Sequence, residues 1–401
     1  MKIRPGSKFL LGLALLAAAA TPAARANVTI GARDNIQVGG FFSQGYIKSS
    51  GNNYPFDSID GTFDFREMAV NVSTTFGSHL RVGAQAFAER LGNYGQDKVL
   101  LDWAVADYNF RQEVGVRVGR IKFPKGLYGE ALDLDMIRPF VFLPRAIYNP
   151  VTRDFNASFN GAMVYGSLGA GRLGSFDYKA FYGDIPMNPE QGVADFFNTT
   201  GLYAGAGTTA LGMDHATGAQ LMWSTPVQGL RVGASYSFLR KVYGNGKFAF
   251  YPVANVTVVG NRYGYTTFSA EYARNSWTFA AEWERTGDTF TVTSVGPTES
   301  VNNGSDSWYL SAARRLNGWL ELGTYYSRME NRFAAPGTPA AQRTLGDVAL
   351  SVRFDLSERA LFKLEAHHVD GRMGMFNTLR TPNPVKKDSS SYYAAKTTLS
   401  F

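Results

Sequence analysis

Hydrophobic and polar residues alternate one by one through most of the chain after Asn35. In the run 67–76, for example, Val70 and Val72 alternate with Asn71 and Ser73. Strict alternation over several residues is typical of a β-strand that has one apolar and one polar face. A short turn at 77–79 leads into a second alternating run at 80–89. The two runs therefore predict an antiparallel hairpin.

The same pattern recurs along the whole chain and predicts about sixteen strands. Strands are expected near 98–110, 113–122, 158–169, 175–185, 214–225, 230–238 and 262–273, and in further runs up to the C-terminus. The segments 158–169 and 248–259 are ambiguous, and a long excursion is expected between 238 and 262. Turns of about two to five residues alternate with longer polar loops, which is the construction of outer-membrane barrels.

One apolar face on every strand indicates that the sheet closes inside a membrane. In a bilayer each backbone group must find its hydrogen-bond partner within the sheet, so only a closed sheet is stable. With about sixteen strands, the interior is too wide for side chains to fill. We therefore predict an all-β protein, a transmembrane antiparallel β-barrel around a water channel. Aromatic residues at strand ends are expected to form interfacial girdles: Tyr108, Phe110, Trp277, Trp283, Trp308, Trp319 and Tyr393.

The longest break in the strand pattern lies between Arg120 and Phe155. It contains Pro124, Pro139, Pro144 and Pro150, so it cannot form one continuous strand or helix. It follows the fifth predicted strand, on the side of the long loops. We interpret residues 123–157 as a loop that folds into the barrel and narrows it.

The loop and its edges carry five basic and four acidic residues, which are Lys122, Lys125, Arg138, Arg145 and Arg153, and Glu130, Asp133, Asp135 and Asp154. In one interpretation, acids and bases on opposite sides of the constriction create a transverse field that orients dipolar solutes. In the other, they pair and hold the loop against the wall. The nearly balanced charge favours a general filter over a dedicated anion site.

Strand parity also predicts which wall residues face water. The basic ones are Arg81, Arg117, Arg231 and Arg353, with Lys179 and Lys363. The acidic ones are Glu67, Glu89, Asp107, Glu271, Glu282, Glu284, Glu321 and Glu365. Parity gives the face of each residue and not its height, so we expect a mixed, solvated lumen without strong ion selectivity.

The N-terminus has the features of a secretory signal peptide. A basic segment precedes the apolar run Phe9–Ala20, and residues 24–26 form an A-x-A cleavage site. The predicted domains are thus a signal peptide, 1–26, and one barrel, 27–401. Removing the four basic residues of 1–26 lowers the net charge from +7 to +3 (7 − 4), so no nucleic-acid partner is expected. The sequence contains no run of 18 apolar residues, so no membrane-spanning helix is predicted.

Catalytic and metal-binding patterns are weak. The chain has no cysteine, which excludes disulfides and thiolate ligands. Its four histidines are scattered; His367 shares a strand face with Glu365, and a polar pair lining the lumen is favoured over a metal or acid–base site. No nucleophile elbow or phosphate-binding loop occurs in a fitting context. We expect neither an enzyme nor a cofactor or metal.

The final run 391–401 alternates like the others and ends on Phe401. Together with the signal peptide, the strand number and the loop after the fifth strand, it makes the chain resemble the bacterial outer-membrane porins. The segment 118–130, VGRIKFPKGLYGE, is similar to the strand-to-loop segment of porins distantly akin to the phosphate-selective group, although the loop lacks a dense lysine cluster. The resemblance implies a homotrimer in the outer membrane of a Gram-negative bacterium, in contact with its lipid.

The expected function is the passive diffusion of small hydrophilic solutes or ions. One alternative is a channel that prefers anions or small organic acids; reversal potentials before and after Arg138→Ala and Arg145→Ala would distinguish the two. A structural or adhesive outer-membrane barrel without pore activity, with partner-binding loops at 184–213 and 331–344, and an outer-membrane hydrolase are alternatives from other classes.

Overall fold

The structure, a computed structural model, describes residues 28–30, 36–199, 206–248, 251–294 and 296–401. Nineteen strands in these residues form one sheet. They are β1 (Val28–Ile30), β2 (Ile36–Ser50), β3 (Phe65–Phe76), β4 (Leu80–Leu91), β5 (Leu100–Arg111), β6 (Val114–Lys122), β7 (Ser158–Gly169), β8 (Ser175–Asp184), β9 (Ala206–Gly212), β10 (His215–Ser224), β11 (Leu230–Phe248), β12 (Tyr251–Arg274), β13 (Trp277–Thr293), β14 (Glu299–Asn303), β15 (Ser305–Arg315), β16 (Leu320–Asn331), β17 (Thr344–Ser357), β18 (Ala360–Gly371) and β19 (Ser389–Ser400). The predicted signal peptide lies outside the described residues and stays a prediction.

Sixteen of these strands form a closed antiparallel wall. The last strand, β19, pairs with the first wall strand, β2, in a register that runs from Ser391↔Ser50 to Ser400↔Phe41. The shorter strands β1, β9 and β14 add to β2, β11 and β13. At the seam, the backbone of Phe401 exchanges hydrogen bonds of 3.0 and 3.1 Å with Gly40. The predicted all-β barrel of about sixteen strands is confirmed.

The predicted outward and inward faces are seen, for example, on β3 and β17. Val70 and Leu350 point outward and are 53% and 62% exposed, whereas the inward side chains of Glu67 and Ser351 are buried. An outward apolar band is the surface that lipid requires. Four of the predicted girdle aromatics are exposed beside short turns: Tyr108, Phe110, Trp277 and Trp319.

Short turns gather at one end of the barrel, at 77–79, 112–113, 170–174, 225–229, 275–276, 316–319 and 358–359. The expected excursion between 238 and 262 is wrong, because β11 continues to Phe248 and β12 begins at Tyr251. The alternation fails there for a physical reason. The inward positions Val242, Val256 and Val258 pack into an apolar cluster instead of facing water.

Two apolar clusters occupy the interior toward the long-loop end. The first apolar cluster includes Phe123, Phe159, Phe181 and Leu239, and the helix Gly192–Thr199 adds Val193, Ala194 and Phe197 to it. The second apolar cluster includes Ile47, Phe56, Phe65, Phe142 and Tyr392. We expected the interior to be too wide for side chains to fill. Near the long-loop end this expectation is wrong, because loops enter the barrel and pack against inward apolar side chains.

The other helices within the described residues are single turns. They are Arg153–Asn156 and Ala340–Arg343, with 3-10 turns at Gly129–Ala131, Asp135–Ile137, Pro150–Thr152 and Gly171–Leu173. Within the described ranges, no helix is both long and apolar enough to cross a membrane.

Candidate functional site: a constriction inside the barrel

Loop 123–157 leaves the fifth wall strand, β6, and contacts inward residues on distant strands. The N–H of Leu127 donates to Glu282 on β13 at 2.8 Å, and the N–H of Val141 donates to Glu365 on β18 at 2.7 Å. Ser351 on β17 donates to the carbonyl of Pro139 at 2.8 Å. Because these partners face the interior, the loop lies across the lumen and is bound to several parts of the wall.

Glu282 is the main anchor on β13. Besides the N–H of Leu127, its carboxylate accepts hydrogen bonds from Tyr148 at 2.6 Å, Ser269 at 2.6 Å and Tyr309 at 2.8 Å. A buried carboxylate is stable only when donors replace its lost water, and Glu282 has four. It therefore fixes the loop to the wall opposite β6 without a cation in direct contact.

Lys125 and Glu130 also bind the loop to the wall. The ammonium of buried Lys125 lies 3.0 Å from a carboxylate oxygen of Glu284 on β13 and donates to the carbonyl of Ile147 at 3.0 Å. Glu130 contacts Lys179 on β8 and lies 3.7 Å from Arg117 on β6. Both predicted loop charges are thus paired with the wall.

A first ion-pair cluster lies where the loop leaves and rejoins the wall. Asp133 lies 2.6 Å from Lys122 and 2.8 Å from Arg153. Asp102 on β5 accepts from the same two cations, at 2.7 Å each. Two acids and two bases therefore form a closed, nearly fully buried network that holds both ends of the loop together.

A second ion-pair cluster is centred on Asp135. Its carboxylate lies 2.8 Å from Arg138, 2.6 Å from Lys396 on β19 and 3.7 Å from Lys363 on β18. Burial by itself would raise the pKa of the Asp135 carboxyl, but the positive charges of Lys396, Lys363 and Arg138 hold it well below its usual range. Lys396 also contacts Glu67. The cluster binds the middle of the loop to the strands that close the barrel.

Two other loop charges, Arg145 and Asp154, take part in none of the ion pairs described above. The guanidinium of Arg145 lies 4.3 Å above the ring of Tyr54 and donates to Asn149 at 3.1 Å. Neither carboxylate oxygen of Asp154 has a hydrogen-bond partner among the described residues. Burial raises the pKa of the Asp154 carboxyl from 3.8 to about 7.

Three of the four predicted wall arginines are paired. Arg117 lies 2.8 Å from Asp107, Arg231 lies 2.9 Å from Glu271, and Arg353 lies 2.7 Å from Asp355. Arg353 also donates to the carbonyl of Arg138 in the loop at 3.1 Å. Arg81 is exposed, and its contact is a long hydrogen bond of 3.4 Å to Ser73.

A small cavity of about 50 Å³, lined by both apolar and charged side chains, lies between the loop and strands β3, β4 and β19. Its wall side has Glu67, Glu89 and Lys396, and its loop side has Asp133, Arg138 and Arg153. The rings of Phe65 and Phe142 also line it and stack at 5.2 Å. A water needs roughly 10–15 Å³ of such volume, so the cavity has room for a few waters.

No protein-family description and no curated protein sequence matches the chain. Solved structures match it over nearly its whole length. Salmonella typhi OmpF in complex with daunomycin is 13% identical, covering 93% of this chain and 100% of that one, with a TM-score of 0.57. An anion-selective porin from Comamonas acidovorans is 13% identical over 91% and 99% of the two chains, with a TM-score of 0.54. The trimer form of OmpT from Vibrio cholerae is 13% identical over 91% and 99%, with a TM-score of 0.53.

The chain has the fold of the bacterial outer-membrane porins. The predicted outer-membrane location agrees with this porin fold and with its apolar outer band. Of the predicted loop charges, the structure brings Lys122, Asp133 and Arg153 together in one cluster and Asp135 and Arg138 in the other.

Two side chains of the barrel interior were not predicted from strand parity. Asp102 shares the parity of the lipid-facing Ala104 and Ala106, but a register shift between Gln85 and Ala86 on the neighbouring strand turns it inward. Phe87 has the same inward parity as Glu89 but was left out of the predicted interior because it is apolar; the guanidinium of Arg153 lies 3.9 Å above its ring. A break in alternation next to an acidic residue was the one signal that could have indicated Asp102.

Proposed function

We propose that the protein is an outer-membrane porin that lets small hydrophilic solutes and ions diffuse passively through its barrel. One observation carries the proposal: the loop that follows the fifth wall strand folds into the lumen and is bonded to the walls opposite it. A barrel of this size needs no such loop to close its sheet. A polar segment fixed across the lumen by buried pairs therefore supports a filtering role.

The pairing of the charges supports a filter with weak ion selectivity. An anion-preferring channel would need basic side chains that are free to meet the solute. Arg138 is held by Asp135, and Arg145 is stacked on Tyr54. On the wall, Arg117 and Arg231 face their own carboxylates, whereas Arg81 is exposed. We therefore favour a general channel over the alternative that prefers anions or organic acids.

The protein is also proposed to act without catalysis and to assemble as a homotrimer with its apolar band in lipid. His367, the most enzyme-like residue in the sequence, is buried between Glu365 at 2.7 Å and Asp347 at 2.9 Å. Glu365 in turn accepts from the backbone of Val141 and Phe142. This chain of contacts supports a role in fixing the loop. The trimer form of the similar OmpT supports the assembly.

Planar-bilayer recording tests the channel directly. The purified protein is expected to insert and give discrete current steps in KCl, and vesicles containing it should swell in small sugars and swell more slowly in larger ones. Shortening the loop by replacing residues 128–146 with two glycines should raise the conductance severalfold. The proposal fails if folded protein inserts into vesicles, as shown by flotation, and yet gives neither current nor swelling.

A further inference from the structure

Two glutamates on neighbouring strands line the cavity beside the loop. Glu67 on β3 and Glu89 on β4 are register partners, and both line the cavity. The carboxylate of Glu67 is in contact with the ammonium of Lys396, which also lies 2.6 Å from Asp135. One member of the glutamate pair therefore already binds a primary ammonium group.

Glu89 differs from its partner. The residue is only 9% exposed, and its Oε2 atom is buried without a hydrogen-bond partner among the residues that the structure describes. A buried acceptor without a donor destabilises the protein, so a ligand that brings an N–H donor into the cavity is favoured. The unbonded oxygen belongs to a residue that lines a cavity at the height of the loop.

The basic side chains around the cavity are bound to carboxylates other than Glu89. Arg153 donates to Asp102 and Asp133, and Arg138 donates to Asp135. Lys396 contacts Glu67 and Asp135. Each of these cations is within direct hydrogen-bonding distance of at least one carboxylate other than Glu89. None of the hydrogen bonds that these cations make within the described residues reaches Oε2 of Glu89, so a bound solute can supply the missing donor.

We propose that Glu89 binds the primary ammonium group of permeating solutes, so that the channel favours small amines. This inference rests on the proposed porin function and adds a class of solute to it. The contact of Lys396 with Glu67 shows how an ammonium is held on this wall. The volume of about 50 Å³ admits an ammonium head group but excludes bulky quaternary ions, which also have no N–H to donate.

The test measures how amines slow the potassium current through single channels in planar bilayers. The recordings are made at pH 9, so that the buried Glu89 is compared in its ionised form. Ethylammonium is expected to block wild-type current, and Glu89→Gln should raise the half-blocking concentration by about tenfold, because a neutral amide oxygen accepts a weaker hydrogen bond from a cation than a carboxylate does. Tetraethylammonium should block both proteins weakly. Asp177→Asn is the matched control, since Asp177 is an exposed inward acid on β8, and it should leave the ethylammonium block within about twofold of wild type.

The outcomes separate this inference from the porin function. Channels that conduct but show the same ethylammonium block with and without Glu89→Gln overturn the amine site and leave the porin function intact. If no current appears, the porin function fails, and calorimetric titration of ethylammonium into the detergent-solubilised protein decides on the site. A binding heat that Glu89→Gln abolishes and Asp177→Asn retains supports it; equal heats for all three proteins overturn it.

Discussion

Asp154 is a buried loop acid whose carboxylate oxygens have no hydrogen-bond partner among the described residues. It lies in the single-turn helix Arg153–Asn156, and burial raises the pKa of its carboxyl to about 7. Because this pKa is above the value in the unfolded chain, the folded protein binds the proton more tightly. The contribution of this group to the free energy of unfolding is fully present below about pH 4 and is lost as the pH rises through about 7.

Asp154→Asn should remove this pH dependence. Between about pH 4 and 7, the wild-type free energy of unfolding should fall relative to the variant by up to about 1.4 kcal/mol per pH unit. Urea unfolding in detergent at pH 4, 6 and 8 measures the difference. Asp214→Asn is the control, because Asp214 is an exposed acid paired with Lys241 at 3.1 Å. Parallel wild-type and Asp154→Asn curves across this range would contradict the prediction.

Glu282 offers a second test at a single residue. Glu282→Gln replaces one of the two acceptor oxygens with an NH₂ group, which then faces either the Leu127 N–H and the Ser269 hydroxyl or the hydroxyls of Tyr148 and Tyr309. An unsatisfied buried group costs about 1–3 kcal/mol, so the urea midpoint should fall and channel noise should increase as the loop loosens. Glu271→Gln, which changes a more exposed pair with Arg231, should cost less than about 1 kcal/mol. Equal losses for the two variants would show that Glu282 does not anchor the loop.

The face of the barrel wall on which a residue lies could be predicted wherever side chains alternate regularly along a strand. Parity placed Glu282 and Glu365 on the inner face because their strands are regular at those positions. It failed at Asp102, where a shift in register reverses the face. It also could not distinguish Glu89 from Glu67, because their difference depends on Lys396, which is far away in the sequence.

At the scale of elements, the strands were easier to predict than the loop's route. Alternation identifies strands wherever lipid and water lie on opposite faces, and it fails in β11 and β12 where loops fill the interior. The prolines showed that 123–157 is irregular and its position suggested an inward loop. The loop contacts strands that are far away in the sequence, and a local sequence pattern does not show which strands these are.

An engineered disulfide can test the route of the loop. A Cβ placed on Gly323 of β16 lies 3.4 Å from the Cβ of Pro139, close to the separation of about 3.5–4.5 Å found in disulfides. Since the chain has no cysteine, the double variant Pro139→Cys/Gly323→Cys should form one bond on mild oxidation, visible as a shift in gel mobility. Pro139→Cys/Gly169→Cys should not, because Gly169 lies open at the end of β7. Failure of the first pair in a correctly folded barrel would place the loop elsewhere.

The whole molecule has long loops at one end and short turns at the other, which predicts its orientation. In outer-membrane barrels, the long loops face outward and the turns face the periplasm. Leu379, in a long loop, is 99% exposed, and Leu173, in the turn 170–174, is 62% exposed. On intact cells, a membrane-impermeant maleimide should label Leu379→Cys and should label Leu173→Cys only after permeabilisation. The reverse labelling would invert the proposed orientation.

The contacts of Asp135 also set an order of events during biogenesis. Its partners Lys363, Lys396 and Thr398 belong to the last two strands, and Thr398 is 263 residues further along the chain. The loop cannot reach its final position until β19 has joined β2. The Asp135 cluster is therefore complete only in a sealed barrel, and a barrel whose last strand is not yet inserted is expected to be leaky. Any assembly machinery that holds this strand also controls when the outer membrane gains a narrowed pore.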